Sequence, residues 1–337
     1  MDNKFTKKRI ANTLSYDWTK MIALILGIVL FWTLAYTIGA PRASTGQVFC
    51  FNYYTGDASF SYKYTAEEWC NEFLTKKVFS YDVLDYSTRI MSSDYFGELM
   101  MTSTSVGEGD VMITVDSQEK VENNSSEFRQ VIDGYGDVFY DYDSLIKDAK
   151  SYCIGINSFV QDNGDGTYSL NEAKIEEYFS LRMVKDPRYR DKQSERFALG
   201  VQSEIQRIKA VWNNAVMLEE CLLNHPEIRY NYVRYTQAIL ANPENYEGEE
   251  YKSLPELTYG INLGKLTGGE VRITDEFYKP LKEGEELSAL SADGIVLLTY
   301  NFKSEQPHLQ FETLSVVNYF ISRYSNFLND SNPALIK

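Results

Sequence analysis

Histidine is nearly missing from this 337-residue chain, which holds two, and cysteine is scarce at four. No HExxH pair and no nucleophile-elbow pattern occurs, so the common hydrolase mechanisms lack their signatures. His225 and His308 each adjoin a proline in a polar stretch, which suits a surface or loop imidazole rather than a catalytic base. No cysteine pair has C-x-x-C spacing, which excludes the zinc-ribbon and thioredoxin-like patterns. Basic residues are also under-represented, 33 against 48 acidic ones. Such a surface repels phosphate backbones, so no nucleic-acid partner is expected.

Charge of either sign is absent from Met21 through Pro41, directly after a leader carrying Lys4, Lys7, Lys8, Arg9 and Lys20. Met21 to Ile38 is apolar and meets the length an α-helix needs to cross a bilayer, roughly 17 to 25 residues. Trp18, Trp32 and Tyr36 can sit at or near headgroup boundaries, and the leader cations favour a cytoplasmic N-terminus. A cleaved signal would have a shorter basic region, and Pro41 follows the best cut site, Ala40. A lipobox would place Gly or Ala directly before its cysteine, but Val48 and Phe49 precede Cys50. The pattern predicts a single-pass cell-membrane protein: a cytoplasmic leader over 1–20, a transmembrane anchor over 21–40 in the lipid bilayer, and an extracytoplasmic remainder.

That remainder, about 295 residues, suits two lobes of ordinary size. Leaving out the six basic and two acidic residues before Thr45 reduces 33 and 48 to 27 and 46, a net charge of roughly −19. Cys50, Cys70, Cys153 and Cys221 all lie in this part, where disulfides are permitted. Three complete pairings and four buried free thiols are alternatives that spacing does not separate.

Val48 to Tyr54 is rich in aromatic and β-branched residues and reads as a strand. Thr65 and Glu68 form a capping-box pattern opening a helix through Trp69, Phe73 and Leu74. Val78 to Tyr86 reads as a strand, Tyr95 to Met101 as a helix, and Gly107 to Asp116 as a turn feeding a buried strand. Alternating elements of this kind predict an α/β layer with parallel strands. Val201, Ile205, Ile208, Trp212 and Ala215 give one apolar face to a helix over about 194–223 that packs on a neighbouring part. Asn242 to Pro255 reads as a surface connection.

The order strand, helix, strand, helix, then Gly109-Asp110-Val111-Met112-Ile113, resembles the first lobe of extracellular solute-binding proteins of ABC transporters, with the periplasmic-binding-protein-like fold. Phe128, Val131 and Ile132, then Gly134-Tyr135-Gly136-Asp137-Val138 and Asp143-Ser144-Leu145-Ile146, continue the likeness. Near the end it is carried by Tyr259-Gly260-Ile261-Asn262-Leu263, a strand over 294–302 and a helix over 310–328. The resemblance implies a two-lobed α/β ectodomain: lobe 1 over 45–152, a mainly helical lobe 2 over 153–258, and a return segment over 259–337. It also implies that Tyr53, Tyr54, Asp116 and Ser117, at the ends of two strands, face a ligand cleft.

The most specific local motif runs from Gln161 to Glu172. In an EF-hand-like alignment Asn163, Asp165 and Thr167 supply oxygens, Gly166 the bend, and Glu172 a bidentate carboxylate for Ca2+. Asn163-Gly164 and Asp165-Gly166 are equally hairpin turn pairs, with Tyr168 beginning a strand. Tyr230, Tyr232 and Tyr235 with Arg229 and Arg234 form an aromatic and basic cluster, read as helix-surface packing. The function expected is noncatalytic: capture or sensing of a small ligand, a sugar or peptide, beside a membrane transporter or other membrane complex. The alternatives are a ligand-less component of a bacterial membrane complex and an exported hydrolase using a carboxylate pair.

Overall fold

The computed structural model describes residues 7–39, 47–54, 60–79, 83, 85–116, 126–155, 157–234, 255–279, 286 and 288–337. The chain divides into two units, Met1–Ser44 and Thr45–Lys337. The first carries α1, Lys7–Gly39. Within it Trp18–Ala35 has a mean hydropathy of 1.9 and no buried residue, so this helix is long and apolar enough to cross a membrane. A membrane anchor and a signal sequence both have that character.

The second unit opens with β1 (Val48–Tyr54), β2 (Ser61–Tyr62), α2 (Ala66–Thr75), β3 (Asp85–Met91), α3 (Phe96–Val106) and β4 (Val111–Val115). Next come α4 (Glu127–Tyr135), α5 (Tyr142–Ile154), β5 (Val160–Asp162), β6 (Tyr168–Leu170), α6 (Glu172–Arg182) and α7 (Glu195–Asn224). The chain ends with β7 (Arg229–Val233), β8 (Glu256–Asn262), β9 (Phe277–Tyr278), β10 (Ile295–Thr299), α8 (Pro307–Gln310) and α9 (Thr313–Tyr324). One six-stranded mixed sheet has the order β3-β1-β4-β10-β8-β7. β1 is parallel to both β3 and β4, whereas β10 runs antiparallel to β4 and β8, and β7 antiparallel to β8.

Both faces of this sheet are covered, which is why its central strands are apolar almost throughout. Side chains alternate across the pleat. Phe49, Phe51, Tyr53, Val111, Ile113 and Leu297 enter a core with α2, α5, α7 and α9. Tyr54, Met112, Val296 and Leu298 enter a second core with α3 and α4. Much of the aromatic content packs here: Trp69 stands 5.9, 6.0 and 5.0 Å from the rings of Phe73, Phe277 and Phe320 in the larger core.

The Thr65–Glu68 capping box is present, and Ser194 caps α7 as its spacing predicts. Other expectations change. Thr45–Lys337 is one compact unit, and its sheet takes strands from 45–152, 153–258 and 259–337 alike. The second strand is Asp85–Met91 rather than Val78 to Tyr86, because Phe79 turns into the larger core directly after the chain reverses at Lys77 (φ 54°). Arg229–Val233 is a strand, not a helix surface. The C-terminal helix spans Thr313–Tyr324, shorter than 310–328. The connection expected over 242–255 lies outside the described residues except for Pro255, as does Tyr235.

All four cysteines are free and buried. Burial pushes the thiols of Cys50, Cys153 and Cys221 up to about 12 and raises that of Cys70 as well. Since the thiolate is the reactive form, the native protein should be inert to Ellman's reagent at neutral pH, with all four thiols titrating after denaturation. A native titre of one or more would show that a thiol is reached from solvent.

Candidate functional site at the carboxyl edge of the sheet

The chain moves from β1 outward to β3, then crosses back over β1 to β4. Strand order therefore reverses between β1 and β4, and in open α/β sheets ligands bind beyond the carboxyl ends of strands at such a point. Tyr54 ends β1, and Asp116 follows β4.

Asp116 is fixed from several directions. Its backbone N–H donates to the Gly294 carbonyl (2.8 Å), and Tyr230 on β7 donates its hydroxyl to Oδ2 (2.6 Å). Gly294 has φ +78°, and a Cβ there would fall 2.6 Å from the Asp116 carbonyl oxygen, so this approach requires glycine. Ser126 caps α4 by accepting from the Arg129 N–H, which sets Arg129 in the first turn above Asp116. Arg129 Nε stands 3.5 Å from Asp116 Oδ1. Both atoms are buried, and neither makes a hydrogen bond among the described residues. Asp116 itself is only 6% exposed.

A tyrosine shell surrounds the pair. The Arg129 guanidinium lies over the Tyr232 ring at 5.7 Å, and Tyr232 donates to Asp133 Oδ2 (2.9 Å). Burial, then the Asp116 charge, raises the Tyr230 phenol far above its usual range, so it stays protonated and donating. Tyr54 donates to Gln130 Oε1 (2.8 Å) and stacks on Phe96 at 4.0 Å. Beside them Asn262 Oδ1 accepts from Gly264 and Gly294 N–H groups (3.2 Å each), while its amide donates to Asp293 Oδ1 (2.8 Å). Lys265 pairs with Asp293 Oδ2 at 3.0 Å. Burial opposes ionisation of Asp293, but Asn262 and Lys265 outweigh it and hold the carboxyl below its usual range.

The sequence-predicted residues separate. Tyr54 and Asp116 belong to this edge. Tyr53 points through the opposite face, where its hydroxyl donates to the Tyr64 carbonyl (3.0 Å), since successive strand residues alternate. Ser117 lies outside the described residues. Arg129 carries no motif of its own, and Tyr230 was legible only as part of an aromatic cluster. The available signal for Arg129 was the serine three residues earlier, a helix-start residue.

In the Gln161 to Glu172 motif, β5 and β6 pair antiparallel as a hairpin, Val160–Asp162 against Tyr168–Leu170. Asp165 Oδ1 accepts the Thr167 N–H (2.9 Å) and hydroxyl (2.6 Å), and Asn163 donates to Thr167 Oγ1 (2.9 Å). Gly164 and Gly166 take φ of +81° and +83°, while Glu172 begins α6 behind the Asn171 cap. Among the described residues no group of three or more His, Cys, Asp or Glu side chains is placed to hold a metal ion. His225 stacks on Phe327 at 3.7 Å, and His308 lies half-buried in α8.

Comparison with models of known families, with curated proteins and with solved structures finds no match.

Proposed function

We propose that Thr45–Lys337 is the extracytoplasmic part of a membrane-anchored, noncatalytic ligand-binding or sensing protein, akin to solute-binding proteins, with its site at Asp116 and Arg129. The observation supporting this reading is the pair of buried, complementary atoms, Asp116 Oδ1 and Arg129 Nε, which make no hydrogen bond among the described residues, where the strand order reverses. A buried polar atom without a hydrogen bond costs about 1–3 kcal/mol, and the 3.5 Å ion pair offsets only part of that, so a ligand hydrogen-bonding to both gains an advantage there. A carboxylate beside a guanidinium suits a zwitterion, such as an amino acid or short peptide, better than a neutral sugar. The ammonium would face Asp116 and the carboxylate Arg129.

Thermal melts with amino acids, dipeptides and neutral oligosaccharides test this. A bound zwitterion at about a hundred times its Kd stabilises by roughly 2.7 kcal/mol, a rise of several degrees. Asp116→Asn and Arg129→Gln should each abolish that rise. No shift across the panel, or a shift unchanged in both variants, overturns the reading. The alternative of a component without ligand is favoured by the exposed Leu181, Val184 and Leu199, and expects no shift at all.

A further inference from the structure

We propose that the surface formed by the end of α6, the 183–194 connection and the first turn of α7 docks on an anionic lipid bilayer. Its apolar part is Leu181, Val184 and Leu199, which are 68%, 72% and 62% exposed. Single exposed aliphatic residues are ordinary, but Leu199 lines a groove, and Leu181 and Val184 directly adjoin its lining residues Arg182 and Met183 in the chain. That groove, about 370 Å3, is lined by Phe179, Met183, Tyr189, Arg196 and Leu199, among others.

The charge of this surface opposes that of the molecule. Between Leu181 and Leu199 the chain carries Arg182, Lys185, Arg188, Arg190, Lys192 and Arg196 against Asp186, Asp191 and Glu195, in a protein of net charge −15. Arg182 is held by Glu204 and Arg188 by Asp186. Lys185, Arg190, Lys192 and Arg196 form no ion pair among the described residues. Four cations outside any ion pair, of which Arg196 alone acts on a nearby carboxylate, Asp186, and three exposed aliphatic side chains in the same stretch of chain fit a headgroup layer: the aliphatic groups enter the acyl boundary and the long basic side chains stay at phosphate level. Pro187, the Arg188–Asp186 pairing and the Ser194 cap fix the connection beforehand, so docking orders little new chain. The acidic remainder of the surface is repelled from the same headgroups, which selects this face. An acidic polypeptide would satisfy the cations but leaves less use for side chains that project singly.

The test uses the full chain in lipid nanodiscs, with a polarity-sensitive fluorophore on Val184→Cys. The buried native thiols do not compete for the label. Emission should shift to the blue in discs containing phosphatidylglycerol, stay unshifted in pure phosphatidylcholine, and revert at high salt. Reversing Lys185, Arg190 and Lys192 to Glu should abolish the shift, with roughly a fivefold loss in the docking equilibrium for each cation removed. A label on Leu181→Cys repeats the measurement if the first variant folds poorly. Equal emission in both lipids, or a shift surviving charge reversal, overturns the proposal. So does a shift produced only by soluble oligoglutamate, which would assign the surface to an acidic polypeptide.

Discussion

Replacing Asp110 with alanine should destabilise the protein by about 3–5 kcal/mol, the cost of stranding a buried charge. Asp110 is 1% exposed, and both its oxygens accept from Lys303 Nζ, at 2.7 and 2.8 Å. Its Oδ2 also accepts the Cys50 N–H (2.8 Å), and Lys303 Nζ donates further to the Val48 carbonyl (3.0 Å). Burial raises the Asp110 carboxyl above its usual range against the pull of Lys303. Without the carboxylate, the buried ammonium keeps one carbonyl oxygen, and the start of β4 loses its side-chain tie to Lys303 beyond β10. Urea unfolding measures the loss. Asp110→Leu combined with Lys303→Met should recover most of it, because two apolar side chains remove the charge and its desolvation together. A single-variant loss below about 1 kcal/mol would mean that water reaches Lys303.

Arg207→Ala should cost a similar amount, about 3–5 kcal/mol, from the middle of α7. Arg207 is 1% exposed, pairs with Glu204, and donates to the Tyr152 hydroxyl (3.0 Å) and the His308 carbonyl (2.8 Å). Its loss leaves Glu204, 3% exposed, with Arg182 as its remaining ion-pair partner. Burial opposes ionisation of Glu204, yet Arg207 and then Arg182 hold its carboxyl below the usual range. Its stabilising contribution is thus present above the unfolded value and lost as pH falls through the folded one. His308 adds to the same slope. Burial first, then Arg182 and Arg207, lower its imidazole from 6.5 to about 4, so between those values only the unfolded chain binds the proton and stability falls with pH. Unfolding midpoints should therefore decline from pH 6.5 to 4, and the part due to His308 should shrink in Arg207→Ala. A variant with the wild-type slope would remove Arg207 as a cause.

What was legible in the sequence followed from local rules. β1, the capping box, α7 and the apolar length of α1 each rest on a periodicity or cap within one segment. The rest needed the third dimension. Val78 and Phe79 are apolar because a loop plugs the core, which no period distinguishes from a strand, whereas the true edge strand carries Ser87, Thr88 and Arg89. Arg229–Val233 reads equally as helix surface or strand until β8 lies beside it. At the candidate site, Asp116 was singled out only through the likeness to solute-binding proteins, as the residue closing a buried strand. Its partners were not, since Tyr230 lies 114 residues away and Arg129 belongs to the helix α4 rather than to the strand that Asp116 follows. The calcium pattern and the hairpin use the same asparagine, aspartate and glycine residues, and here their side chains cap local backbone N–H and hydroxyl groups.

β10 fills the place between β4 and β8, and this fixes the order in which the sheet can be completed. During synthesis β1, β3 and β4 emerge early and can pair among themselves. The free edge of β4 then stays open until Ile295–Thr299 has been made, as does one edge of β8. Open apolar edges invite wrong pairings, and long-range strand closure is slow. Nascent chains lacking β10 should accordingly need protection from a chaperone, and truncations just short of it should aggregate rather than yield a smaller folded protein.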